Sequence, residues 1–456
     1  MTDEFAAVVS RVRDRVTPSA EERDRLERVV ADLVADTERA IADLPVEADV
    51  VHVGSTARDT WLAGDRDIDL FVSFPPALDR DRLRESGLQV GHAVLPESHE
   101  EYAEHPYVVG EYDGFEVDLV PCYGVADATA IRSAVDRTPF HSQYLEGRLD
   151  DDLAAAIRVC KQFLGGIGVY GSDLHTRGFS GFLTELLVVE YGGFRPFVEA
   201  AADWRPPVTF DPEGHGRESF EDPLVVVDPT DPERNVAAVC SETNVSRLQH
   251  YTRDLLANPR EALFDPDDPD PAGPEAVREA IADRGTVPVA LRFDAPGVVD
   301  DQLWPQLEKS RGSLAEELDR RGFDVFRSAA FAETGGEDTG DAVLLFELAV
   351  ADRPLVERHE GPPLHVRDHA ADFFETYADA DVYGPFLDGD RYVVEREREY
   401  TSAVDLLRSD AVFGVALGPH VAASLGEGYD VLVGEEIAAL AAGFGVELRR
   451  YFAPAP

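Results

Sequence analysis

The sequence predicts a protein of several domains that combines the α/β and α+β classes. The chain has 456 residues, which is too long for a single hydrophobic core. Residues 49–74 and residues 286–350 each read as strands connected by helical segments, and the region between them reads as mainly helical. We therefore expect an N-terminal sheet domain, a helical middle part and a C-terminal α+β part.

The charge of the chain is strongly negative. The sequence contains 90 Asp and Glu against 42 Lys and Arg, a formal net charge of −48, and the acidic residues occur in every segment. This distribution is typical of a surface that stays hydrated at high salt, so we predict a halophilic protein, with an ordinary acidic protein as the alternative. In molar salt the Debye length is about 3 Å, so the charge does not exclude a nucleic-acid partner bound by local arginines.

The cysteines and the apolar segments bear on location. Cys122, Cys160 and Cys240 fit no metal-binding spacing and read as reduced thiols. The chain starts acidic, without a signal peptide, and its longest weakly apolar run is too short to span a bilayer. We expect a cytoplasmic protein with no membrane partner.

Residues 3–16 and 19–43 read as two helices. In the second, apolar residues recur at helical spacing, and Ser19 is placed as its N-cap with acidic residues in the first turn. We expect these helices to cover one face of a sheet.

Residues 49–74 read as a strand, a Gly54-Ser55 turn, a short helical connection and a second strand. In the second strand, Asp67 and Asp69 lie on the same face because side chains alternate with a period of two. Two such carboxylates repel each other unless a cation lies between them or both face solvent. A solvated strand edge is therefore the alternative to a metal site.

A third acidic strand, residues 115–122, favours the metal site. Asp118 lies on this strand, whose other face is apolar. Three carboxylates on neighbouring strands, Asp67, Asp69 and Asp118, can hold two Mg²⁺ ions at the separation that in-line phosphoryl transfer requires.

The Gly54-Ser55 turn suits a triphosphate. A glycine lets the backbone approach closely, the Ser55 hydroxyl and nearby N–H groups can bind phosphate oxygens, and Arg58 can add a charged contact. The turn, the Asp67-Ile68-Asp69 sequence and the later acidic strand resemble the nucleotidyltransferase superfamily that includes DNA polymerase β and poly(A) polymerases. The resemblance implies a polymerase-β-like nucleotidyltransferase head.

His141 and Lys161 are ambiguous in isolation. A lone histidine is more often a satisfied surface or core residue than a ligand, and a lysine on a helix is usually a solvated charge. Lysine is scarce in this chain, however, and the glycine-rich stretch GIGVYGSD follows Lys161. These two features favour a binding role.

The segment from residue 138 to residue 194 resembles the archaeal, class I CCA-adding enzymes, which act on tRNA. Its KQFL, GVYGS and RGFSGFLTELL stretches carry the resemblance, which extends from about residue 49 to residue 236 and more weakly to the C-terminus. The resemblance implies catalytic Mg²⁺ ligands at Asp67, Asp69 and Asp118, although many archaeal members carry Glu at the first position. It also implies contacts with the incoming ATP or CTP from Ser55, Arg58, His141, Lys161 and Tyr170.

Residues 223–241 read as a strand, a turn punctuated by prolines and a helix start. The turn by itself predicts only a tight loop. The resemblance implies that Arg234 and Asn235 lie close to the base of the incoming nucleotide. A guanidinium can donate to the acceptor edges of both C and A, which suits an enzyme that accepts those two bases.

From residue 286 the order strand, helix, strand, strand predicts a C-terminal α+β sheet of the ferredoxin or RRM type, although no RNP motif is present. Residues 361–400 place aromatic side chains beside several arginines. They read either as a core stripe with solvated arginines or as a platform for folded RNA. By resemblance, this part binds the acceptor stem and TΨC arm of tRNA.

We expect four parts: a catalytic head (1–142), a central nucleotide-binding and mainly helical domain (143–262), a linker (263–284) and a C-terminal tRNA-binding region (285–456). The resemblance implies addition and repair of the 3′-terminal CCA of tRNA from CTP and ATP, without a template and with release of pyrophosphate, by a homodimer. The alternatives are another nucleotidyltransferase, such as a poly(A) polymerase, and a non-catalytic RNA-binding protein on the same fold.

Overall fold

A computed structural model describes residues 4–102, 104–266, 269–333 and 340–456. The chain divides into two units, one of residues 1–267 together with Pro456 and the other of residues 268–455. The division falls inside the range 263–284 that the sequence suggests as a linker. The limits of the predicted domains stay predictions.

Two helices open the first unit: α1 (Glu4–Val16) and α2 (Ala20–Ala42). The Ser19 hydroxyl accepts a hydrogen bond from the N–H of Glu22, and the Glu22 carboxylate accepts one from the N–H of Ser19. This reciprocal cap begins α2 where the sequence predicts it. The buried residues of α2 repeat at helical spacing and belong to the core beneath the first sheet.

The first sheet has five strands: β1 (Asp49–Val53), β2 (Asp67–Phe74), β3 (Ser98–Tyr102), β4 (Pro106–Tyr112) and β5 (Phe115–Tyr123). Their order is β1-β2-β5-β4-β3, with β2 and β5 parallel and the other neighbours antiparallel. The predicted N-terminal sheet domain is confirmed. Two helices belong to it: α3 (Gly54–Ala57), which follows β1 directly, and α4 (Arg80–Val94).

The second core of the first unit is surrounded by α1 together with α5 (Thr138–Glu146), α6 (Asp151–Gly166), α7 (Gly181–Tyr191), α8 (Phe194–Ala202) and α9 (Glu242–Ala257). The expectation that both N-terminal helices cover the sheet is therefore wrong for α1, whose buried residues pack on α6. A small sheet accompanies them: β6 (Val208–Phe210), β7 (Leu224–Asp228) and β8 (Asp231–Asn235). The central part is mainly helical, as predicted.

Residues 223–241 end at the N-cap of a helix, as predicted, but they contain a second strand that the sequence did not predict. Residues Asp231–Asn235 form a strand that pairs antiparallel with β7, and α9 begins only at Glu242. The Asn235 side chain explains the difference, because its Oδ1 accepts hydrogen bonds from the N–H groups of Val226 and Ala237. A side chain that bonds the neighbouring backbone competes with helix formation.

The second unit begins with α10 (Pro274–Arg284), β9 (Val287–Asp294), α11 (Asp300–Arg320), β10 (Val325–Ala332) and β11 (Asp341–Leu348). Near its end, α14 (Pro419–Glu427) leads into β15 (Asp430–Val433), and α15 (Gly445–Phe452) closes it. The sheet order is β10-β11-β9-β15, antiparallel throughout. This is the arrangement of a ferredoxin-type fold, so the predicted α+β class is confirmed.

A second sheet lies between β11 and α14 in sequence. It contains β12 (Val356–Pro363), β13 (Tyr383–Asp388) and β14 (Arg391–Glu397), in the order β12-β14-β13. The helix α12 (Arg367–Tyr377) packs on it, and the short α13 (Ala403–Leu407) follows. Within the described residues, no helix is both long and apolar enough to cross a membrane.

Helix α4 lies very close to the first sheet because it carries two glycines on one face. A Cβ on Gly91 would approach a side-chain carbon of Val108 to 2.4 Å, and one on Gly87 would approach Pro121 to 2.5 Å. We expect Gly91→Ala to lower the free energy of unfolding by about 1–3 kcal/mol, because the helix must move away from the sheet.

Denaturant titration at high KCl would measure this loss. Gly165→Ala in α6 is a matched control, since nothing lies within 4 Å of the added methyl group. It should leave stability unchanged or raise it by up to about 1 kcal/mol. Equal stability of the two variants would contradict the close packing of α4.

Candidate active site

The parallel pairing of β2 and β5 brings the acidic residues together. Asp69 pairs with Asp118 and Asp67 pairs with Glu116, so four carboxylates occupy the same face of two adjacent strands. Asp69 and Asp118 are half-buried, whereas Asp67 is exposed. The three predicted metal ligands therefore lie on neighbouring strands, in the predicted arrangement.

These carboxylates raise one another's pKa. Burial, followed by the charge of Asp67, raises the pKa of Asp69 to about 6. Burial, followed by the charge of Asp69, raises the pKa of Asp118 to about 7. The cause is a concentration of negative charge in a partly desolvated place, which disfavours the ionised forms.

This charge distribution fits a bound cation. In the described part of the chain, neither Asp69 nor Asp118 forms an ion pair with a Lys, Arg or His side chain. Hard oxygen ligands of this kind are the ones that Mg²⁺ prefers. Among the described residues, however, no three His, Cys, Asp or Glu side chains already converge as a metal cluster.

Gly54 forms the wall beside Asp69. Its φ of +80° is in the left-handed region, and a Cβ at this position would lie 2.0 Å from Asp69 Oδ2. Only glycine allows both the turn and the close approach. Ser55 follows in α3, and its carbonyl accepts hydrogen bonds from the N–H groups of Arg58 and Thr60, at 3.3 and 3.0 Å.

Arg58 and Lys161 meet at one buried carboxylate. Arg58 Nε donates to Glu185 Oε2 at 2.8 Å, and Lys161 Nζ donates to Glu185 Oε1 at 2.7 Å. Arg58 also donates through Nη1 to Ser142 Oγ at 2.6 Å. The positive charges of Arg58 and Lys161 both lower the pKa of Asp69, so the cluster lies within electrostatic reach of the acidic strands.

Tyr170 lies at the edge of the same region. Its ring is 37% exposed, and its hydroxyl lies 3.2 Å from the position of a Cβ on Gly181, the first residue of α7. A larger residue at position 181 would contact the hydroxyl. Tyr170 is thus accessible to a ligand at this end of α7.

A second buried carboxylate, Asp228, joins His141 and Arg234. His141 Nε2 and Arg234 Nη1 each lie 2.8 Å from Asp228 Oδ2. The His141 ring also stacks on Phe182, with ring centroids 3.8 Å apart and an interplanar angle of 8°. The hydrogen bond to His141 is the main influence that holds the pKa of Asp228 far below its usual range, against the opposing effect of burial.

The side chain of Asn235 is fully engaged by the protein. Its Nδ2 donates to Asp222 Oδ2 and to the carbonyl of Leu224, at 2.9 and 3.0 Å, and its Oδ1 accepts two backbone hydrogen bonds. The residue is 4% exposed. Its predicted contact with the nucleotide stays a prediction, and its observed bonds hold the β7–β8 hairpin beside Arg234.

Glu185 and Asp228 belong to the site, but the sequence analysis did not single them out. Glu185 lies in the mostly apolar helix GFLTELLVVEY, and Asp228 ends the apolar strand LVVVD. A carboxylate in such surroundings must have charged or hydrogen-bonding partners, since an unpaired buried charge is costly. That rule could have pointed to both residues, although not to their partners.

A cavity of about 720 Å³ lies behind the Gly54-Ser55 turn. Arg58, Asp59 and Trp61 line it together with residues of α2, α5 and α6, and so does His52 on β1. His52 Nε2 lies 2.9 Å from Thr56 Oγ1. Burial, followed by the charge of Arg58, lowers the pKa of His52 to about 4.

Fold and site together define a nucleotidyltransferase. Residues 36–141 match the family model of the nucleotidyltransferase domain, residues 155–265 match the second domain of tRNA nucleotidyltransferase, and residues 284–434 match the C-terminal domain of CCA-adding enzyme. The three matches follow one another along the chain and cover most of it.

Comparison with related proteins shows which kind of nucleotidyltransferase this chain is. The chain is 64% identical to the CCA-adding enzyme of Haloarcula marismortui, 60% to that of Halorubrum lacusprofundi and 56% to that of Halobacterium salinarum, in each case over the full length of both chains. The chain belongs to the CCA-adding enzymes. It is a tRNA nucleotidyltransferase, and the comparisons favour this activity over a poly(A) polymerase or a non-catalytic RNA-binding protein.

The low pKa of His52 makes stability depend on pH. The folded-state pKa of about 4 lies below the ordinary value of 6.5, so between these values the unfolded chain binds a proton that the folded chain does not. Stability from this residue is therefore present above about pH 6.5 and is lost as the pH falls towards 4.

His52→Gln should remove this loss and keep a side chain that can bond Thr56. Between pH 6.5 and 4.5 the wild type should lose about 2 kcal/mol more stability than the variant. Denaturant titrations of both proteins at high KCl would measure the difference. Parallel pH profiles would show that His52 titrates normally in the folded protein.

Proposed function

We propose that this chain adds and repairs the 3′-terminal CCA of tRNA, using CTP and ATP, without a nucleic-acid template and with release of pyrophosphate. The observation that carries the proposal is the convergence of two kinds of groups in one unit. Carboxylates on β2 and β5 lie within electrostatic reach of the Arg58 and Lys161 cations. An acidic site for a metal beside a cationic site for phosphates is what nucleotidyl transfer needs.

In this proposal Asp67, Asp69 and Asp118 hold Mg²⁺. The raised pKa values of Asp69 and Asp118 support it, because a divalent cation would relieve the repulsion between them. The chemistry supplied by bound Mg²⁺ would be activation of the tRNA 3′-hydroxyl and neutralisation of charge on the triphosphate. Asp118, which faces Asp69 across the two strands, would help to accept the hydroxyl proton.

The triphosphate would lie between the acidic strands and the cationic cluster. Ser55 would offer its hydroxyl, and Arg58 would offer the hydrogens of Nη2, which Glu185 and Ser142 do not use. Lys161, whose three hydrogens are bound by Glu185 and Thr60, would contribute its positive charge. Gly54, which cannot carry a side chain here, would keep the space beside Asp69 open. These groups would orient the α-phosphate for attack.

The base would lie near the β7–β8 hairpin. Arg234 is 36% exposed and its guanidinium is held by Asp228, so its remaining N–H groups can point to a base. His141 is held by the same carboxylate, and Tyr170 offers an accessible ring. Asn235 would act mainly by fixing the hairpin.

The rest of the chain would bring the tRNA. The match of residues 284–434 to the C-terminal domain of CCA-adding enzyme supports binding of the acceptor stem and TΨC arm by region 285–456.

We also propose the limits of the other parts: a catalytic head at 1–142, a nucleotide-binding domain at 143–262 and a linker at 263–284. The protein would be cytoplasmic and would form a homodimer. Light scattering after gel filtration should then give about twice the chain mass of 50.0 kDa.

Replacement of the metal-binding carboxylates tests the catalytic assignment. Asp69→Ala and Asp118→Ala should each abolish nucleotide incorporation into tRNA that lacks CCA, since either change removes a ligand from the metal site. Binding of tRNA, measured by filter retention at high KCl, should stay nearly intact.

Asp49→Ala is a matched control, because Asp49 is an exposed carboxylate on the same sheet that pairs with Ser73 at the far end of β2. It should keep full activity. Incorporation at about a tenth of the wild-type rate or more in the Asp69 or Asp118 variant would contradict the metal-site assignment.

Arg234→Ala tests the base-recognition assignment. Loss of the guanidinium should reduce the preference for CTP and ATP over UTP and GTP by about tenfold, because hydrogen-bond donors to the base are removed. Single-nucleotide incorporation with each of the four nucleotides would measure the preference.

Arg217→Ala is the control for this experiment. The backbone N–H of Arg217 donates to the carbonyl of Pro232 in the same hairpin, whereas its side chain is exposed. This variant should keep wild-type selectivity. Unchanged selectivity in Arg234→Ala as well would exclude the assigned role.

A further inference from the structure

Glu185 is a carboxylate enclosed by the first unit of the protein. It lies in the middle of α7, it is 0% exposed, and the helix around it is almost entirely apolar. A charge in such a place is stable only if it is paired and hydrogen-bonded. The residues that pair with Glu185 therefore indicate what this buried carboxylate does.

Both oxygens of Glu185 are used. Oε2 accepts from Arg58 Nε at 2.8 Å, and Oε1 accepts from Lys161 Nζ at 2.7 Å and from the Thr60 hydroxyl at 2.6 Å. Arg58 and Thr60 follow the Gly54-Ser55 turn, whereas Lys161 lies on α6. One carboxylate thus joins the turn of the head to two helices of the central part.

The charges at this cluster do not cancel. Two cations, Arg58 and Lys161, share one anion, Glu185, and all three side chains are buried, with at most 7% of the side chain exposed. The paired cations hold the pKa of Glu185 below its usual range against the effect of burial, so the carboxylate is ionised. The three side chains together carry one positive charge in excess, within electrostatic reach of Asp69.

The contacts also leave donors in defined directions. The hydrogen bonds of the Arg58 guanidinium in the described residues use Nε and Nη1, the latter to Ser142 at 2.6 Å, and leave Nη2. Lys161 uses further hydrogen bonds on the carbonyl and hydroxyl of Thr60, at 3.1 and 3.3 Å. Side chains held at this many points have little freedom to lose when a ligand binds.

We infer that Glu185 is a positioning residue, which holds Arg58 and Lys161 in the geometry that binds the triphosphate of the incoming nucleotide. This inference rests on the proposed function, in which these two cations contact the nucleotide. Glu185 does not touch substrate itself. It acts by preventing two like charges in a buried place from moving apart, and by orienting the Arg58 hydrogen atoms that can reach phosphate oxygens.

A buried carboxylate in the second unit provides the control. Glu347 is 0% exposed and accepts from Arg284 Nε at 2.5 Å, from Arg284 Nη2 at 3.0 Å and from the Thr286 hydroxyl at 2.6 Å. Like Glu185, Glu347 is a buried carboxylate that binds an arginine and a threonine, although its third hydrogen-bond partner is the Tyr451 hydroxyl instead of a lysine. Its partners are not among the residues assigned to the nucleotide, so its replacement measures the cost of losing such a carboxylate for the fold alone.

A double-mutant cycle tests the inference. Glu185→Gln, Arg58→Ala and the double variant would be compared with Glu347→Gln alone and combined with Arg58→Ala, all at high KCl. Two quantities would be measured: kcat/KM for CTP in addition of one C to tRNA lacking CCA, and the dissociation constant of CTP by calorimetry without tRNA. The second does not require turnover.

Glu185→Gln should lower kcat/KM and weaken CTP binding by about tenfold in the presence of Arg58, but by about threefold in its absence, because only the contact of Glu185 with Lys161 then remains. Because Glu347 lies in the region assigned to tRNA, its control value is the CTP affinity measured without tRNA. Glu347→Gln should change this affinity by less than about twofold, equally with and without Arg58. Wild-type values for Glu185→Gln, or the same loss with and without Arg58, would overturn the inference.

Failure of the proposed function and failure of the Glu185 variant to fold can each be distinguished from failure of the inference. If the wild type added no C to tRNA, the proposed function would fail, and the cycle on CTP affinity would still decide whether Glu185 acts through Arg58. If Glu185→Gln did not fold, Glu185→Asp would take its place, since it keeps the charge but draws the carboxylate back from Arg58 and Lys161. Its loss of about threefold should be smaller in Arg58→Ala, and an equal loss there would overturn the inference.

Discussion

The parallel register between β2 and β5 is the constraint on which the site depends. It places Asp69 beside Asp118, on the face that the Gly54 turn leaves open. A slip of one residue would turn Asp118 to the opposite face of the sheet and leave Asp69 without its partner. The buried apolar residues that alternate with the acids prevent such a slip, because they would have to leave the core. The packing of the core of the head thus fixes the positions of the carboxylates assigned to the metal site.

Two buried carboxylates outside the first sheet hold other residues of the site in place. Glu185 binds the cations assigned to the triphosphate, and Asp228 binds the two residues assigned to the base side, His141 and Arg234. Each carboxylate connects segments that are distant in sequence. Each also leaves an arginine, Arg58 or Arg234, with N–H groups that form no hydrogen bond within the described residues. In a chain with a net charge of −48, such local pairing allows cationic surfaces for phosphates to persist.

Much of the fold and part of the site could be predicted from local patterns. Period-two alternation placed Asp67 and Asp69 on one face, and the Ser19 cap placed the start of α2. Features that depend on contacts between separate segments could not be predicted from these local patterns. Residues 231–235 form a strand rather than leading into a helix because Asn235 bonds Val226, nine residues away. Glu185 was missed because its partners, Arg58 and Lys161, are 127 and 24 residues distant and only the fold brings them together.

The most direct measurement is the sequence of the product made on tRNA that ends before CCA, at high KCl. The wild-type protein should add two C residues and stop when only CTP is present. It should restore the complete CCA end when CTP and ATP are both present, and it should not extend a finished CCA end. A run of A residues made from ATP alone would contradict this function, because the site would then lack the ordered choice of C and A.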